Sequence, residues 1–111
     1  MKLSSVEHRA ATVFTLQGQF TTDTSGQLRR AVLECLDTKQ RDFVIDIKDL
    51  ESIDSQGLEA LLWLQEQSVD RLGQIRLIRC PDYFDSILKM TRLASRFECH
   101  DDLDAALESL G

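Results

Sequence analysis

Three features of the sequence predict an α/β fold in which a mostly parallel central β-sheet is flanked by about four helices. Stretches rich in β-branched and aromatic residues alternate along the chain with stretches whose apolar residues recur every three or four positions. Their order reads β-β-α-β-α-β-α-β-α, and strands separated by helices return parallel to one another. One stretch, "DFVIDI" at 42–47, is mostly apolar, as befits a central strand covered on both faces. The 111 residues suffice for one modest core and not for two, so 1–111 is expected to form a single domain.

Each element has its own signal. "LSSVEH" (3–8) and "ATVFTL" (11–16) alternate and predict two short strands joined around Arg9 and Ala10. Leu28, Val32, Cys35 and Leu36 share one face of a helix that Asp23 or Thr24 is expected to cap and that ends between Asp37 and Gln40. After the strand at 42–47 comes the polar junction Asp54-Ser55-Gln56-Gly57, and then a helix. At 100° per residue, Gly57, Leu58, Leu61, Leu62, Leu64, Val69 and Leu72 are expected on its inward arc, where the polar Gln65 and Ser68 also land. Ser55, Gln56, Glu59, Glu66, Gln67 and Asp70 fall on the outward arc, and Trp63 falls with them. Either a neighbouring segment covers that indole or it faces a partner. "QIRLIR" (74–79) predicts a further strand. Pro81 and Asp82 open a short helix with Phe84, Ile87, Leu88 and Thr91 on one stripe. "RFECH" (96–100) predicts a brief last strand, and Asp101 or Asp102 is expected to cap a closing helix built on Leu103, Ala106, Leu107 and Leu110.

Composition narrows the function. A net charge of −6 leaves no basic excess to neutralise phosphates, so neither a nucleic-acid partner nor an anionic membrane surface is expected. No apolar run approaches the length of a membrane span and the first residues lack a signal-peptide core, which predicts a cytoplasmic protein without membrane insertion. Cys35, Cys80 and Cys99 form an odd set with no C-x-x-C pair and are expected to be buried free thiols. His8 and His100 stand isolated in the sequence, and neither a metal site nor a cofactor is expected.

The junction carries the chemistry. A loop leaving a parallel strand and entering a helix is a common place for a site, because the helix N-terminus presents unpaired N–H groups and a partial positive charge. Phosphate-cradling glycine patterns are absent, and so is the G-x-S-x-G turn of a hydrolase nucleophile, so Ser55 does not read as a catalytic residue and the chain does not read as an enzyme. On composition alone, serine at a helix start is a cap.

The run "VIDIKDLESIDSQGLEALLWL" resembles the signature of the STAS domain and, among its members, the small stand-alone bacterial anti-sigma factor antagonists. "VFTLQGQF", "IRLIRCPDYFDSILKMTRL" and "DDLDAALESL" keep a similar register, so the resemblance covers nearly the whole chain. It implies a regulatory switch in transcription signalling. By that resemblance, a partner serine kinase that is also an anti-sigma factor would phosphorylate Ser55, a serine phosphatase would reset it, and the unphosphorylated domain would capture the kinase. Asp54, Gln56 and Gly57 would shape the phosphorylation loop, with Asp23, Glu59 and Trp63 as expected partner-binding residues on a monomer. The sequence departs from the family pattern at Gly18-Gln19-Phe20-Thr21, where an acid is displaced to Asp23, and at Gln56, where a second hydroxyl is more usual. The alternatives are a scaffold STAS subunit of a transporter or larger assembly, with Ser55 only a helix cap, and a nucleotide-binding domain, which the sequence supports least.

Overall fold

The computed structural model describes residues 2–8, 10–38 and 40–110, and of Asp23 the backbone alone. Its elements are β1 (Lys2–His8), β2 (Ala11–Phe20), α1 (Thr22–Asp37), β3 (Asp42–Asp46), β4 (Leu50–Ile53), α2 (Ser55–Asp70), β5 (Ile75–Ile78), α3 (Asp82–Met90), a 3-10 turn (Ala94–Arg96), β6 (Cys99–His100) and α4 (Leu103–Leu110). The main ladder runs β1-β2-β3-β5-β6, antiparallel only between β1 and β2. The expected turn residue Arg9 lies outside the described residues.

β4 has no counterpart among the predicted strands, and β2 runs past its predicted span of 11–16. β2 continues past Leu16 to Phe20 because it serves two parallel partners in succession: its first half pairs with β3 through Ala11–Thr15, and its last three residues pair with β4, with a register shift between Gly18 and Gln19. Gly18 there takes φ 95°, a left-handed conformation that glycine adopts without a steric cost. Tyr83 of α3 donates its hydroxyl hydrogen bond to the Leu50 carbonyl and ties β4 down from the side.

Alternation along the strands builds two layers of core. Phe14, Leu16, Phe43, Ile45, Ile75 and Leu77 point to one face, where Leu28, Leu61, Leu64, Phe84 and Leu88 from α1, α2 and α3 meet them. Phe14 and Phe43 stack across neighbouring strands with ring centroids 5.9 Å apart. Ala11, Val44 and Ile78 point to the other face, which Ala106 and Leu107 of α4 cover. The central strand β3 is thus buried on both sides, as its apolar run predicts.

The end of α2 departs from the predicted arc. The helix stops at Asp70, and Leu72, expected inside, is 85% exposed just beyond it. Leu72 occupies the left-handed position with φ 61°, its N–H donating to the Val69 carbonyl while Gly73 N–H donates to the Ser68 carbonyl. This is a Schellman stop, in which glycine usually takes the left-handed site. Here the glycine is needed one residue later, because a Cβ on Gly73 would lie 2.1 Å from the Arg41 carbonyl oxygen. Val69 is also exposed, whereas Ala60 and Ser68 are fully buried, so the inward face of α2 is rotated towards the line Gly57, Ala60, Leu61, Leu64 and Ser68.

Two opposite outcomes are expected at neighbouring positions. Leu72→Gly relieves the left-handed strain of an exposed side chain and raises stability by about 1 kcal/mol. Gly73→Ala forces backbone apart and lowers it by about 1 to 3 kcal/mol. Urea unfolding midpoints of the two variants check both signs; a stabilised Gly73→Ala would refute the contact with Arg41.

Candidate functional site

The parallel pairing of Phe20 with Ile53 brings the exits of β2 and β4 side by side, so α1 and α2 begin next to each other. Two helix N-termini in contact concentrate unpaired N–H groups and partial positive charge at one place. Asp54 answers both. One carboxylate oxygen accepts from Gly57 N–H at 2.9 Å, capping α2, and the other accepts from Thr22 N–H at 3.0 Å, the first amide of α1. The Thr22 hydroxyl lies 3.4 Å from the same oxygen, and Asp54 N–H donates to the Phe20 carbonyl at 3.1 Å.

This arrangement corrects two expectations about caps. Ser55 is not the cap of α2: Asp54 is, and Ser55 stands at the first helical position with an exposed side chain. Its hydroxyl has no hydrogen-bond partner among the described residues. At α1 the cap position is Thr21 rather than Asp23 or Thr24. Thr24 contributes from inside the helix, where its hydroxyl accepts from Thr21 N–H at 2.9 Å and donates to the Gln19 carbonyl at 2.9 Å. Asp23 is the second residue of α1, and its side chain lies outside the described residues.

Gly57 is required by proximity. A Cβ there would lie 2.4 Å from the Phe20 carbonyl oxygen and 2.9 Å from a side-chain carbon of Ile53, so a larger residue would push α2 off the β2 exit. Leu58 is the first large side chain of α2 to enter the core, while Gln56 and Glu59 are exposed beside Ser55. The Asp54 carboxyl is held below its ordinary value of 3.8, first by the N–H of Gly57 and then, against some desolvation, by that of Thr22.

Trp63 does not stand free on an outer face. The indole is half-buried, packs against the main core and carries the Arg29 guanidinium of α1 at 5.2 Å from its ring centroid. Contact between α1 and α2 closes over what the helical projection leaves outside. Glu59 and Glu66 remain exposed one turn to either side. The cysteines also differ from expectation: Cys35 and Cys80 are half-buried, Cys99 is exposed, and the last two are adjacent in space. His100 is held near Glu98, 3.5 Å away, and His8 lies exposed at the end of β1, so neither histidine hydrogen-bonds to Ser55.

The arrangement suits a displayed hydroxyl rather than an attacking one. Among the described residues no base is hydrogen-bonded to Ser55, and its neighbour Asp54 is committed to two helix ends.

Two measurements probe this geometry. Because folding lowers the Asp54 pKa, its stabilising effect is complete above 3.8 and disappears as pH falls through the lowered folded value. Asp54→Ala should therefore unfold at a lower urea concentration than the wild type at pH 7, and the gap should narrow steadily below pH 3.8; a gap independent of pH would remove the carboxylate from the account. For Trp63, emission should be blue-shifted in the free protein, and Trp63→Ala should lower stability by about 2 kcal/mol, below the range for a fully buried aromatic. An unshifted spectrum with unchanged stability would mean an exposed indole.

Comparison with known proteins places the chain. The sequence matches the STAS domain family over residues 2–106, and the chain belongs to that family. Among solved structures it is similar to an anti-sigma factor antagonist from Mycobacterium paratuberculosis, with 21% identity, TM-score 0.85, and 98% of this chain and 92% of that one covered. The phosphorylated form of the Bacillus cell fate determinant SpoIIAA superimposes with TM-score 0.78 at 13% identity, covering 99% and 100% of the two chains. A sulfate transporter family protein from Wolinella succinogenes gives TM-score 0.79 at 20% identity, covering 95% and 88%. At these identities the likeness is one of fold. No protein of curated function matches the sequence.

Proposed function

We propose that this STAS-family chain is a non-catalytic, cytoplasmic regulatory module of the anti-sigma factor antagonist type, switched by phosphorylation of Ser55. The observation that carries the reading is the division of labour at the start of α2: Asp54 takes the capping role and leaves the Ser55 hydroxyl exposed. A phosphoryl group adds about −1.5 to −2 charges and three acceptor oxygens. At the first position of a sixteen-residue helix, beside the start of α1, the free domain tolerates that charge. A partner pressed against the same surface meets it desolvated and beside Asp54, so one modification weakens a complex without damaging the fold.

In this reading the partner is a serine kinase that is itself an anti-sigma factor, and a serine phosphatase restores the capture-competent form. Gln56 and Glu59 form the exposed partner-binding surface around Ser55, Trp63 supports it from beneath, Asp23 contributes from α1, and the module acts as a monomer. The similarity to antagonists, one of them described in a phosphorylated form, supports this choice. The similarity to a sulfate transporter family protein favours a second reading, a scaffold subunit in which Ser55 has no switching role.

Phosphopeptide mapping is expected to find the phosphate on Ser55 alone. Ser68 is fully buried and Ser52 half-buried. Phosphate on Ser52 or Ser86, or undiminished labelling of Ser55→Ala, would sink the assignment. Ser55→Asp should bind the cognate kinase at least tenfold more weakly than the wild type, about 1.4 kcal/mol, while its melting temperature stays the same or rises slightly. Equal affinity of the two in calorimetry would select the scaffold reading.

A further inference from the structure

A second site lies where β5 and β6 end. Leu77 pairs with Cys99 and Ile78 with His100 in parallel register, and Arg79 N–H then donates to the His100 carbonyl at 3.0 Å. Arg79 takes φ 56°, the left-handed region that an arginine rarely enters, and so turns the chain away from the strand direction just before Cys80. The result brings two cysteines nineteen positions apart in sequence into direct contact, with sulfur atoms 2.6 Å from each other. They face an open cleft of about 550 Å³ lined also by Lys48, Arg79, Asp85 and His100.

We propose that Cys80 and Cys99 form a reversible redox site, oxidised by a hydroperoxide to an intramolecular disulfide and reopened by thiols. The exposed Cys99 sulfur attacks the peroxide O–O bond, giving a sulfenic acid and releasing water or an alcohol. The Cys80 sulfur then attacks the Cys99 sulfur, the S–O bond breaks, and a second water leaves with the Cys80 proton. Two thiols and one hydrogen peroxide thus yield one disulfide and two waters, the peroxide accepting the two electrons. The order follows from the surroundings. Cys80 is half-buried and donates its hydrogen bond to the Cys99 sulfur, which lowers the Cys99 pKa and raises that of Cys80, while nearby Asp85 opposes thiolate formation at both.

A metal is the competing use of the same atoms, since Cys80, Asp85 and Cys99 bring one donor each within 4.8 Å. Only three donors converge there among the described residues, one short of the four protein ligands of a structural zinc site. In a compartment that keeps thiols reduced, a disulfide of this kind is transient and responsive rather than structural. Its closure would tie the ends of the segment that carries α3, whose Tyr83 bonds the Leu50 carbonyl at the start of β4. The redox site does not depend on the role assigned to Ser55.

The test is titration of the reduced full chain with hydrogen peroxide, read by intact mass, thiol count and peptide mapping. The expected result is loss of two hydrogen atoms, a fall from three thiols to one, and a single peptide linkage joining Cys80 to Cys99 that dithiothreitol reverses. Cys35→Ser should behave in the same way, leaving no free thiol, and Cys80→Ser should stop with an oxygenated Cys99. Equal consumption of Cys35, chains linked through Cys99, or oxygen added to Cys99 in the wild type without a crosslink would overturn the proposal. So would stoichiometric zinc that shields both thiols from peroxide. Should Cys80→Ser fail to fold, the wild-type map and Cys35→Ser decide the matter alone.

Discussion

The Asp54 carboxylate between two helix N-termini is the interaction on which the surrounding structure depends. Parallel pairing of β4 with the last residues of β2 forces α1 and α2 to start together, and their first amides need an acceptor. A neutral cap on either helix could satisfy only its own amides. A carboxylate serves both through its two oxygens, and its charge is favourable against both dipoles at once. The absence of a side chain at Gly57 lets α2 come close enough for that bridge to form. With Asp54 engaged inward, the next residue, Ser55, is the one left facing out. The acidic residue of the junction and its hydroxyl neighbour therefore have separate tasks, one structural and one displayed.

Most of the architecture could be read in the sequence because it rests on periodicity. The apolar run of β3, the four-three spacing of α1 and the Leu103, Ala106, Leu107 stripe of α4 each encode burial on a defined face. What escaped is set by partners distant in sequence. β4 is four residues long, with Leu50 buried, Glu51 exposed and Ser52 and Ile53 half-buried, and nothing in "LESI" announces that the tail of β2 is waiting for it. Leu72 and Val69 sit at helical spacing from the inward leucines, yet Val69 faces out and the helix stops at Asp70, ahead of the close approach of Gly73 to Arg41. A projection of one helix could not reveal that α1 lies over Trp63.

The site was legible to an uneven degree. Asp-Ser-x-Gly before an apolar helix marked the right loop, and the residue types were right for a helix start. The assignment of the cap was not, because serine and aspartate are both good caps and only the reach to Thr22 distinguishes them. The contact of Cys80 with Cys99 has no local signature either. Spacing rules look for C-x-x-C, whereas this pair is made by the β5–β6 register and a single left-handed residue, Arg79.

The division of β2 between two partners has a consequence for motion. Among the described residues β4 is bonded into the sheet through β2 alone and lies off the path that joins the other five strands. Its detachment would break three register pairs, the Tyr83 bond to Leu50 and the bond from Thr22 to Asp54 while leaving that five-stranded ladder intact. Amide hydrogens of β4 and of the first turn of α2 should accordingly exchange through a subglobal opening, at a free energy below that of global unfolding, while those of β3 wait for the whole domain. The exposed serine thus follows a strand whose loss leaves the other five joined, so its loop can shift without unfolding the molecule.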